Sequence, residues 1–212
     1  MPIYSTVASG KANKSMKNFD PTPTMPTIIS SPVRKYLTGA EVDLLIAAAR
    51  QSSRWGWRDA TMILIGYRHG LRASELCDLQ WHQIELKAGR LHVHRRKNGT
   101  PSVHTLQGDE IRALRRLQRE QGAGGEAYCF VSERGGPMTP KAFHALFSRI
   151  GRRAGMPFEV HPHMLRHACG FALANHGHDT RSIQAWLGHK NIQHTTVYTE
   201  LAPNRFRNFW KS

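Results

Sequence analysis

The sequence predicts a mostly α-helical protein that carries a small three-stranded antiparallel sheet. Apolar residues recur at the 3.6-residue spacing of helices in several separate stretches. Between residues 84 and 106 the spacing changes to two, which is typical of strands with one buried face. Turn-forming pairs separate the strands, and Asn98-Gly99 is a strong hairpin signal.

The helical part begins with two clear elements. Thr38-Gly39-Ala40-Glu41 is a capping box followed by apolar residues at helical spacing, so a helix is predicted to begin there. Residues 57–68 form a second helical pattern, which Gly70 ends in the position that glycine often takes after a helix. The three predicted strands follow at residues 84–86, 91–94 and 102–106.

Two further helices and a short strand follow the sheet. Residues 109–119 carry an apolar stripe beneath a basic outer face, which predicts a helix. Residues 128–131 are predicted to form a short strand before a Gly-Gly-Pro turn. Residues 140–154 are predicted to form a helix, with Thr139 as its cap and Pro140 in its first turn.

The last predicted helix begins near Pro162 and has two contrasting faces. At about 100° per residue, one arc is apolar and holds Met164, Leu165, Ala168, Phe171 and Ala172. The opposite arc holds His163, Arg166, His167 and Gly170. The apolar arc is expected to fix the helix in the core, so the polar arc is expected to face a bound ligand.

The composition favours a polyanionic partner. The chain has 30 Lys and Arg against 15 Asp and Glu among 212 residues, a formal net charge of +15. Each phosphate neutralised by such a residue releases counterions, which drives nucleic-acid binding. Charge alone leaves open a ribosomal or merely basic protein.

Other features of the composition indicate the compartment. The three cysteines are widely separated and fit neither a disulfide nor a metal-binding pattern, which is typical of a reducing cytoplasm. No apolar run approaches the roughly 20 residues of a membrane span, and the N-terminus lacks a signal-peptide core. We therefore expect a cytoplasmic protein, located at the bacterial nucleoid if its partner is DNA.

Separated motifs carry the candidate chemistry. Gly70-Leu71-Arg72-Ala73-Ser74-Glu75 comes first; His163-x-x-Arg166, Leu187-Gly188-His189 and Tyr198 follow. The last three motifs contain arginine, histidine and tyrosine but no carboxylate. This combination suits a phosphate rather than a metal or a sugar. In this order the motifs resemble the catalytic domain of the tyrosine recombinase (phage integrase) family over about residues 36–210. Residues 161–174 and 179–189 are especially similar to the short fimbrial phase-variation DNA invertases.

The resemblance implies a metal-free cleavage of DNA. Arg72 and Arg166 would grip the scissile phosphate, since a guanidinium donates paired hydrogen bonds to phosphate oxygens. Tyr198 would attack the phosphorus and form a 3′-phosphotyrosyl bond, which a second strand would later reverse. His163 and His189 would donate hydrogen bonds or shuttle a proton. No ATP, divalent ion or other cofactor is expected.

The remaining site residues have supporting or DNA-binding roles. Lys97, beside the hairpin turn, would protonate the leaving 5′-oxygen, because an arginine releases its proton far less readily. Glu75 is expected to orient Arg72, and His167 to be structural, contacting backbone or a neighbouring acid. The residues predicted to contact DNA are Arg95, Arg96, Lys141, Arg149, Arg152 and Arg153.

The predicted organisation has two parts. Residues 1–35 are expected to be a disordered basic tail, because they are rich in Ser, Thr, Pro, Lys and Asn without a periodic apolar pattern. Residues 36–212 are expected to form the catalytic domain, with a docking segment from about residue 203. The expected partners are double-stranded DNA with inverted-repeat sites, a homotetramer on two such sites, and DNA-bending accessory proteins.

Several alternatives stay open at this point. Arg72 and Glu75 could be a surface ion pair, and Tyr198 could be a packing residue. His163 and His167, with His161 nearby, could bind zinc, although the glutamate of a hydrolytic site is missing and an arginine stands between them. At the level of function, the alternatives are a DNA-binding regulator without turnover and a type IB topoisomerase-like relaxing activity.

Overall fold

The first helix begins where its capping box predicts. In the computed structural model, which describes residues 36–95, 99–122 and 127–200, the Glu41 N–H donates to Thr38 Oγ1 at 3.3 Å. The Glu41 carboxylate in turn accepts a hydrogen bond from the Thr38 N–H at 2.7 Å. Two backbone donors at the helix start are thus satisfied, which fixes the first turn.

Within these residues the chain forms eight α-helices and one sheet. In chain order the elements are α1 (Gly39–Arg50), α2 (Gly56–Arg68), α3 (Ala73–Cys77), β1 (Ile84–Glu85), β2 (Arg90–Val93), β3 (Ser102–Thr105), α4 (Gly108–Gln121), α5 (Pro140–Arg153), α6 (His163–Asn175), α7 (Thr180–Leu187) and α8 (Gln193–Glu200). The predicted helices and the three predicted sheet strands are confirmed, with ends that differ by one or two residues.

The sheet is antiparallel with the order β1-β2-β3. Ile84 pairs with Leu91, and Leu91 pairs with His104 on the other side. The prediction of a strand over residues 128–131 is wrong. Tyr128 and Val131 make only isolated bridges to Gln80 and Pro137, since the chain turns back through two glycines after Ser132.

Two apolar clusters stabilise the fold. The larger one joins the sheet to α1 through α6, and α2 crosses it with Met62, Ile63 and Ile65 fully buried. The smaller one consists of Cys169, Ala174, Ile183, Leu187 and Tyr198, where α7 and α8 pack on each other and on α6. The two motifs nearest the C-terminus therefore depend on the smaller cluster for their position.

Helix α6 differs from the prediction on its polar side. The predicted apolar arc is buried at Met164, Leu165 and Ala168, as expected. On the opposite arc, however, Arg166 and Gly170 are buried too, and His163 is exposed. The buried part of this arc packs inside the protein: Arg166 reaches the carbonyl oxygens of Gly70 and Leu187, and Gly170 lies against Tyr198 of α8. Only the start of the arc, at His163, faces solvent.

Three further observations complete the description. All three cysteines are buried and free. None of the described helices is long and apolar enough to cross a membrane. The predicted tail at residues 1–35 and the predicted docking segment from residue 203 lie outside the described residues.

Candidate active site

Arg72 stands at the entry to helix α3, directly after a sharp turn. Gly70 makes this turn with φ +56°, and a Cβ there would overlap Leu187. Arg72 Nη1 donates to Glu75 Oε1 at 2.6 Å, and the Arg72 N–H donates to Oε2 at 3.0 Å. The predicted contact between Glu75 and Arg72 is therefore present. Because 27% of the Arg72 side chain remains exposed, its guanidinium is open to a ligand.

Glu75 is shared by a second arginine. Arg95 Nη1 donates to Glu75 Oε2 at 3.0 Å, and the exposed fractions of the two side chains are only 0% and 2%. Burial raises the pKa of Glu75, but the hydrogen bond from the Arg72 N–H and the charges of Arg95 and Arg72 outweigh it. The net pKa lies below the usual value, so Glu75 is ionised and holds both guanidinium groups.

The position of Arg95 corrects the prediction that this residue contacts DNA. Its side chain is enclosed, and besides Glu75 it donates to the carbonyl oxygens of His69, at 3.2 Å, and of Trp186. The loop before His189 packs directly over it, since a Cβ on Gly188 would lie 2.8 Å from Arg95 Cγ. Arg95 thus ties the Arg72 turn to the Leu187-Gly188-His189 loop from inside the protein.

Arg166 is buried beside this pair, with only 2% of its surface exposed. Its Nη1 donates to the Gly70 carbonyl and its Nη2 to the Leu187 carbonyl, the latter at 2.7 Å. Burial, then the charges of Arg72 and Arg95, lower its pKa to about 10. It therefore stays protonated at neutral pH. Its hydrogen-bond partners are the two carbonyl oxygens, whereas Arg72 and Arg95 pair with the carboxylate of Glu75. The site carries an excess of positive charge that suits a phosphate.

His189 lies across from these arginines and is uncharged. Its Nδ1 is 2.8 Å from Thr195 Oγ1, which fixes the ring against the start of α8. Burial, followed by the charges of Arg166 and Arg72, lowers the pKa of His189 to about 3. A neutral imidazole has one donor and one acceptor nitrogen, so His189 can donate a hydrogen bond to a phosphate oxygen without adding charge.

Tyr198 is buried on α8 against α6, with 2% of its surface exposed. A Cβ on Gly170 would lie 2.7 Å from Tyr198 Cζ, so only glycine allows the ring to approach this closely. The ring meets Phe171 edge-on at 5.1 Å and stacks beside His189 at 6.4 Å. Burial raises the pKa of Tyr198 to about 12, although the charge of Arg166 opposes the shift. The resting phenol is therefore protonated.

The hydroxyl of Tyr198 has a partner that the sequence did not indicate. His167 Nδ1 lies 3.0 Å from Tyr198 Oη. The expectation that His167 contacts backbone or a neighbouring acid missed this contact. His163, one turn earlier, is exposed, and its ring meets that of His167 edge-on at 4.5 Å. The rings of His163, His167 and Tyr198 thus lie in succession, from the exposed His163 to the buried phenol.

A second polar group, absent from the sequence predictions, lies behind the arginines. His69 Nδ1 is 3.0 Å from His104 Nδ1, and His69 Nε2 is 2.9 Å from Glu110 Oε1. Trp186 stacks on His104 at 3.8 Å, and burial, then His69, lowers the pKa of His104 to about 3. The only sequence feature that could have indicated this polar group is the two-residue spacing of the strands. In the structure His104 pairs with the buried Leu91.

The remaining predicted residues are exposed on α5 or lie outside the described residues. Lys97 and Arg96 lie outside the described residues. Gly99, just after them, lies against the site, since a Cβ there would be 3.0 Å from the Gly188 carbonyl oxygen. The predicted DNA-contacting residues of α5 are all exposed; they are Lys141, Arg149, Arg152 and Arg153.

The predicted zinc alternative gains no support from the geometry. His161 stacks on His144, with ring centroids 6.4 Å apart, rather than joining the two histidines of α6. In the part of the chain that the structure describes, no group of three or more His, Cys, Asp or Glu side chains could hold a metal ion.

Comparison with known proteins gives concordant matches. The model of the phage integrase family matches residues 35–205. The type 1 fimbriae regulatory protein FimE of Escherichia coli (strain K12) is 42% identical over 182 residues, which are 84% of this chain and 91% of that protein. The chain also matches crystal structures of the XerA recombinase (TM-score 0.72, 26% identity) and of the XerH site-specific recombinase bound to its difH substrate (TM-score 0.69, 21% identity).

The matches differ in how much of the other protein this chain spans. The match to the XerA structure includes 82% of this chain and 63% of the XerA chain. The match to the XerH structure includes 84% of this chain and 54% of the XerH chain. It therefore spans less than two thirds of either solved structure, whereas it spans nearly all of the fimbrial regulator.

Proposed function

This chain belongs to the phage integrase family and is a tyrosine-type site-specific recombinase, and we propose that it inverts a DNA segment by cleaving and rejoining strands through Tyr198. The similarity to a type 1 fimbriae regulatory protein over nearly its whole length supports a promoter-inverting switch of the fimbrial kind. The substrate is double-stranded DNA, which fits the net charge of +15.

One observation carries the proposal. Helix α6 holds Arg166 and, one turn later, Gly170, the residue against which Tyr198 packs. The cation that would grip a phosphate and the phenol that would attack it are thus positioned by the same rigid element. Such preorganisation is what a metal-free phosphoryl transfer requires, because it needs little other than position and charge stabilisation.

The residues divide the reaction among them. Arg72 and Arg166 bind the non-bridging oxygens and stabilise the charge that grows on them in the transition state. Tyr198 Oη forms a bond to phosphorus as the bond to the 5′-oxygen breaks, and Lys97 supplies the proton that this oxygen takes. His163 and His189 donate hydrogen bonds to the phosphate. A 5′-hydroxyl of another strand then attacks the 3′-phosphotyrosyl bond and releases the enzyme, without a cofactor.

Binding of the duplex is assigned to the exposed basic residues. The exposed basic residues of α5 are Lys141, Arg149, Arg152 and Arg153. Arg96, which follows β2 in the sequence, is proposed to add to them. Arg95 cannot contact the duplex, because its side chain is enclosed. Strand exchange joins two sites, so the active form is a homotetramer on two inverted repeats at the nucleoid, assisted by DNA-bending proteins.

Inversion is tested on a supercoiled plasmid that carries the DNA flanking the gene, including any pair of short inverted repeats. The expected result is a changed restriction pattern that corresponds to reversal of the segment between the repeats. Relaxation of plasmids that lack the repeats would favour a topoisomerase-like activity. Binding of the repeats without any rearrangement or covalent adduct would favour a regulator without turnover. Either result would contradict the proposal.

The C-terminal segment is proposed to couple the protomers. Residues 203–212 include Phe206, Phe209 and Trp210 in a short amphipathic pattern that suits docking on a neighbouring protomer. Deleting these residues is expected to change the affinity for a single DNA site by no more than about twofold, or about 0.4 kcal/mol, because the segment would dock on a protomer. Inversion is expected to be abolished. Gel-shift titration and the plasmid assay measure the two effects. Unchanged inversion by the shortened chain would refute the docking role.

A further inference from the structure

We propose that His167 is a further catalytic residue, the general base that accepts the phenol proton of Tyr198. The inference rests on the proposed role of Tyr198 as the nucleophile. It assigns chemistry to a histidine that the sequence indicated only as structural, and it names the atom that takes the proton, Nδ1.

The geometry meets the first requirement for a general base. Nδ1 lies 3.0 Å from Tyr198 Oη, within the hydrogen-bond reach that proton transfer needs. His189, the other imidazole beside the phenol, is less suited. Its ring stacks beside that of Tyr198 with centroids 6.4 Å apart, and its Nδ1 is engaged by Thr195 Oγ1.

The burial of Tyr198 makes such a base necessary. Because only 2% of the residue is exposed, bulk water has little access to the hydroxyl. A phenol with a pKa of about 12 is ionised in about one molecule in 10⁵ at pH 7. An adjacent imidazole removes this restriction, since it takes the proton as the bond to phosphorus forms.

The imidazole is also held in place. His167 lies on α6, whose opposite arc is anchored by Met164, Leu165 and Ala168. The ring of His163 meets it edge-on at 4.5 Å. The helix thus fixes the backbone of His167, while the His163 ring and the Tyr198 hydroxyl lie against its imidazole. A nucleophile, a base within reach and a group that orients the base are the usual parts of an activated nucleophile.

The proposed step balances in atoms and charge. The proton moves from Tyr198 Oη to His167 Nδ1 while the Oη–phosphorus bond forms, and the bond from phosphorus to the 5′-oxygen breaks. The leaving oxygen takes its proton from a separate acid, for which Lys97 is proposed. In the reverse step, the imidazolium of His167 returns its proton to Oη as the phosphotyrosyl bond breaks.

The test measures single-turnover formation of the covalent adduct by the full chain on a nicked cognate DNA site. His167→Gln keeps a polar group of similar reach but cannot accept a proton. It is expected to slow adduct formation by about 10²- to 10⁴-fold with unchanged DNA binding. Replacing Tyr198 with the more acidic 3,5-difluorotyrosine is expected to raise the rate of adduct formation by the His167→Gln protein at least tenfold. The same replacement should change the wild-type rate little.

Two comparisons separate a base from a packing residue or an acid. His163→Gln serves as the matched control, because its defect should not be rescued by a more acidic phenol. The His167→Gln defect should also persist on DNA with sulfur in place of the scissile 5′-oxygen, because a thiolate leaves without a proton. The same substrate should rescue a defect in the general acid.

Two results would overturn the inference. One is a His167→Gln rate equal to the wild-type rate. The other is a slow rate that difluorotyrosine does not raise, which would assign His167 to packing. Absence of any adduct with the wild-type protein would instead contradict the nucleophile role of Tyr198, on which the inference depends.

Discussion

Replacing Tyr198 with phenylalanine is expected to eliminate the covalent protein–DNA adduct while leaving the fold and the DNA affinity intact. The substitution removes one hydroxyl and keeps the ring that packs against Gly170 and Phe171. The lost hydrogen bond to His167 contributes only about 1 kcal/mol to stability. Denaturing electrophoresis after incubation with cognate DNA measures the adduct, and a gel shift measures binding.

Tyr67→Phe provides the matched control for this experiment. Tyr67 is partly buried and packs against the same small cluster as Tyr198, so the change also removes one phenol hydroxyl from this region. The Tyr67 variant should form the adduct at a rate close to that of the wild type. Adduct formation by Tyr198→Phe would remove this residue from the nucleophile role and would contradict the proposed mechanism.

Arg95→Met is expected to destabilise the protein and to abolish strand cleavage together. Loss of the Arg95 guanidinium leaves the buried Glu75 with one ion-pair partner fewer, and it removes the hydrogen-bond donor to the carbonyl oxygens of His69 and Trp186. Breaking a fully buried ion pair typically costs about 3–5 kcal/mol. The Arg72 turn and the loop of His189 would then lose their internal connection. Urea unfolding measures the first effect, and adduct formation measures the second.

Arg134→Met is the matched control for Arg95→Met, because Arg134 is exposed on a turn. It should change stability by less than about 0.5 kcal/mol. Arg95→Lys should be intermediate, since lysine keeps the charge but lacks the planar fork that reaches several acceptors. An Arg95→Met protein with wild-type stability and cleavage would contradict the connecting role assigned to this side chain.

The elements predicted from the sequence were those with strong local signals. A capping box placed the start of α1, and the change of spacing from 3.6 to two placed the sheet. The strand predicted at residues 128–131 was wrong because an apolar run before a turn can pack as an irregular segment as easily as it can pair. Helices α7 and α8 were not assigned, since both are short and take their position from packing on α6.

The sequence motifs named the candidate residues, whose catalytic roles stay predictions, but they did not indicate the contacts between them. In the structure the charges of Arg166 and Arg72 act on His189, and Tyr198 packs against Gly170 of the helix that carries Arg166. Arg95 looks in the sequence like the basic residues of any exposed hairpin. Its burial becomes visible only when Glu75 and the loop of Gly188 pack against it. The contact of His167 with Tyr198 spans 31 residues, so local spacing could not predict it.

The division of the core into two unequal clusters has a consequence for the reaction cycle. Stability varies across a structure, and segments held by few buried side chains open locally at a lower free-energy cost than the whole protein. Tyr198 belongs to the smaller cluster, whereas the sheet and α1 to α5 share the larger one. Helix α8, which bears the proposed nucleophile Tyr198, is therefore expected to open at a lower free-energy cost than the elements of the larger cluster. Amide hydrogen exchange is expected to be faster in α7 and α8, which share the smaller cluster, than in α2, which crosses the larger one.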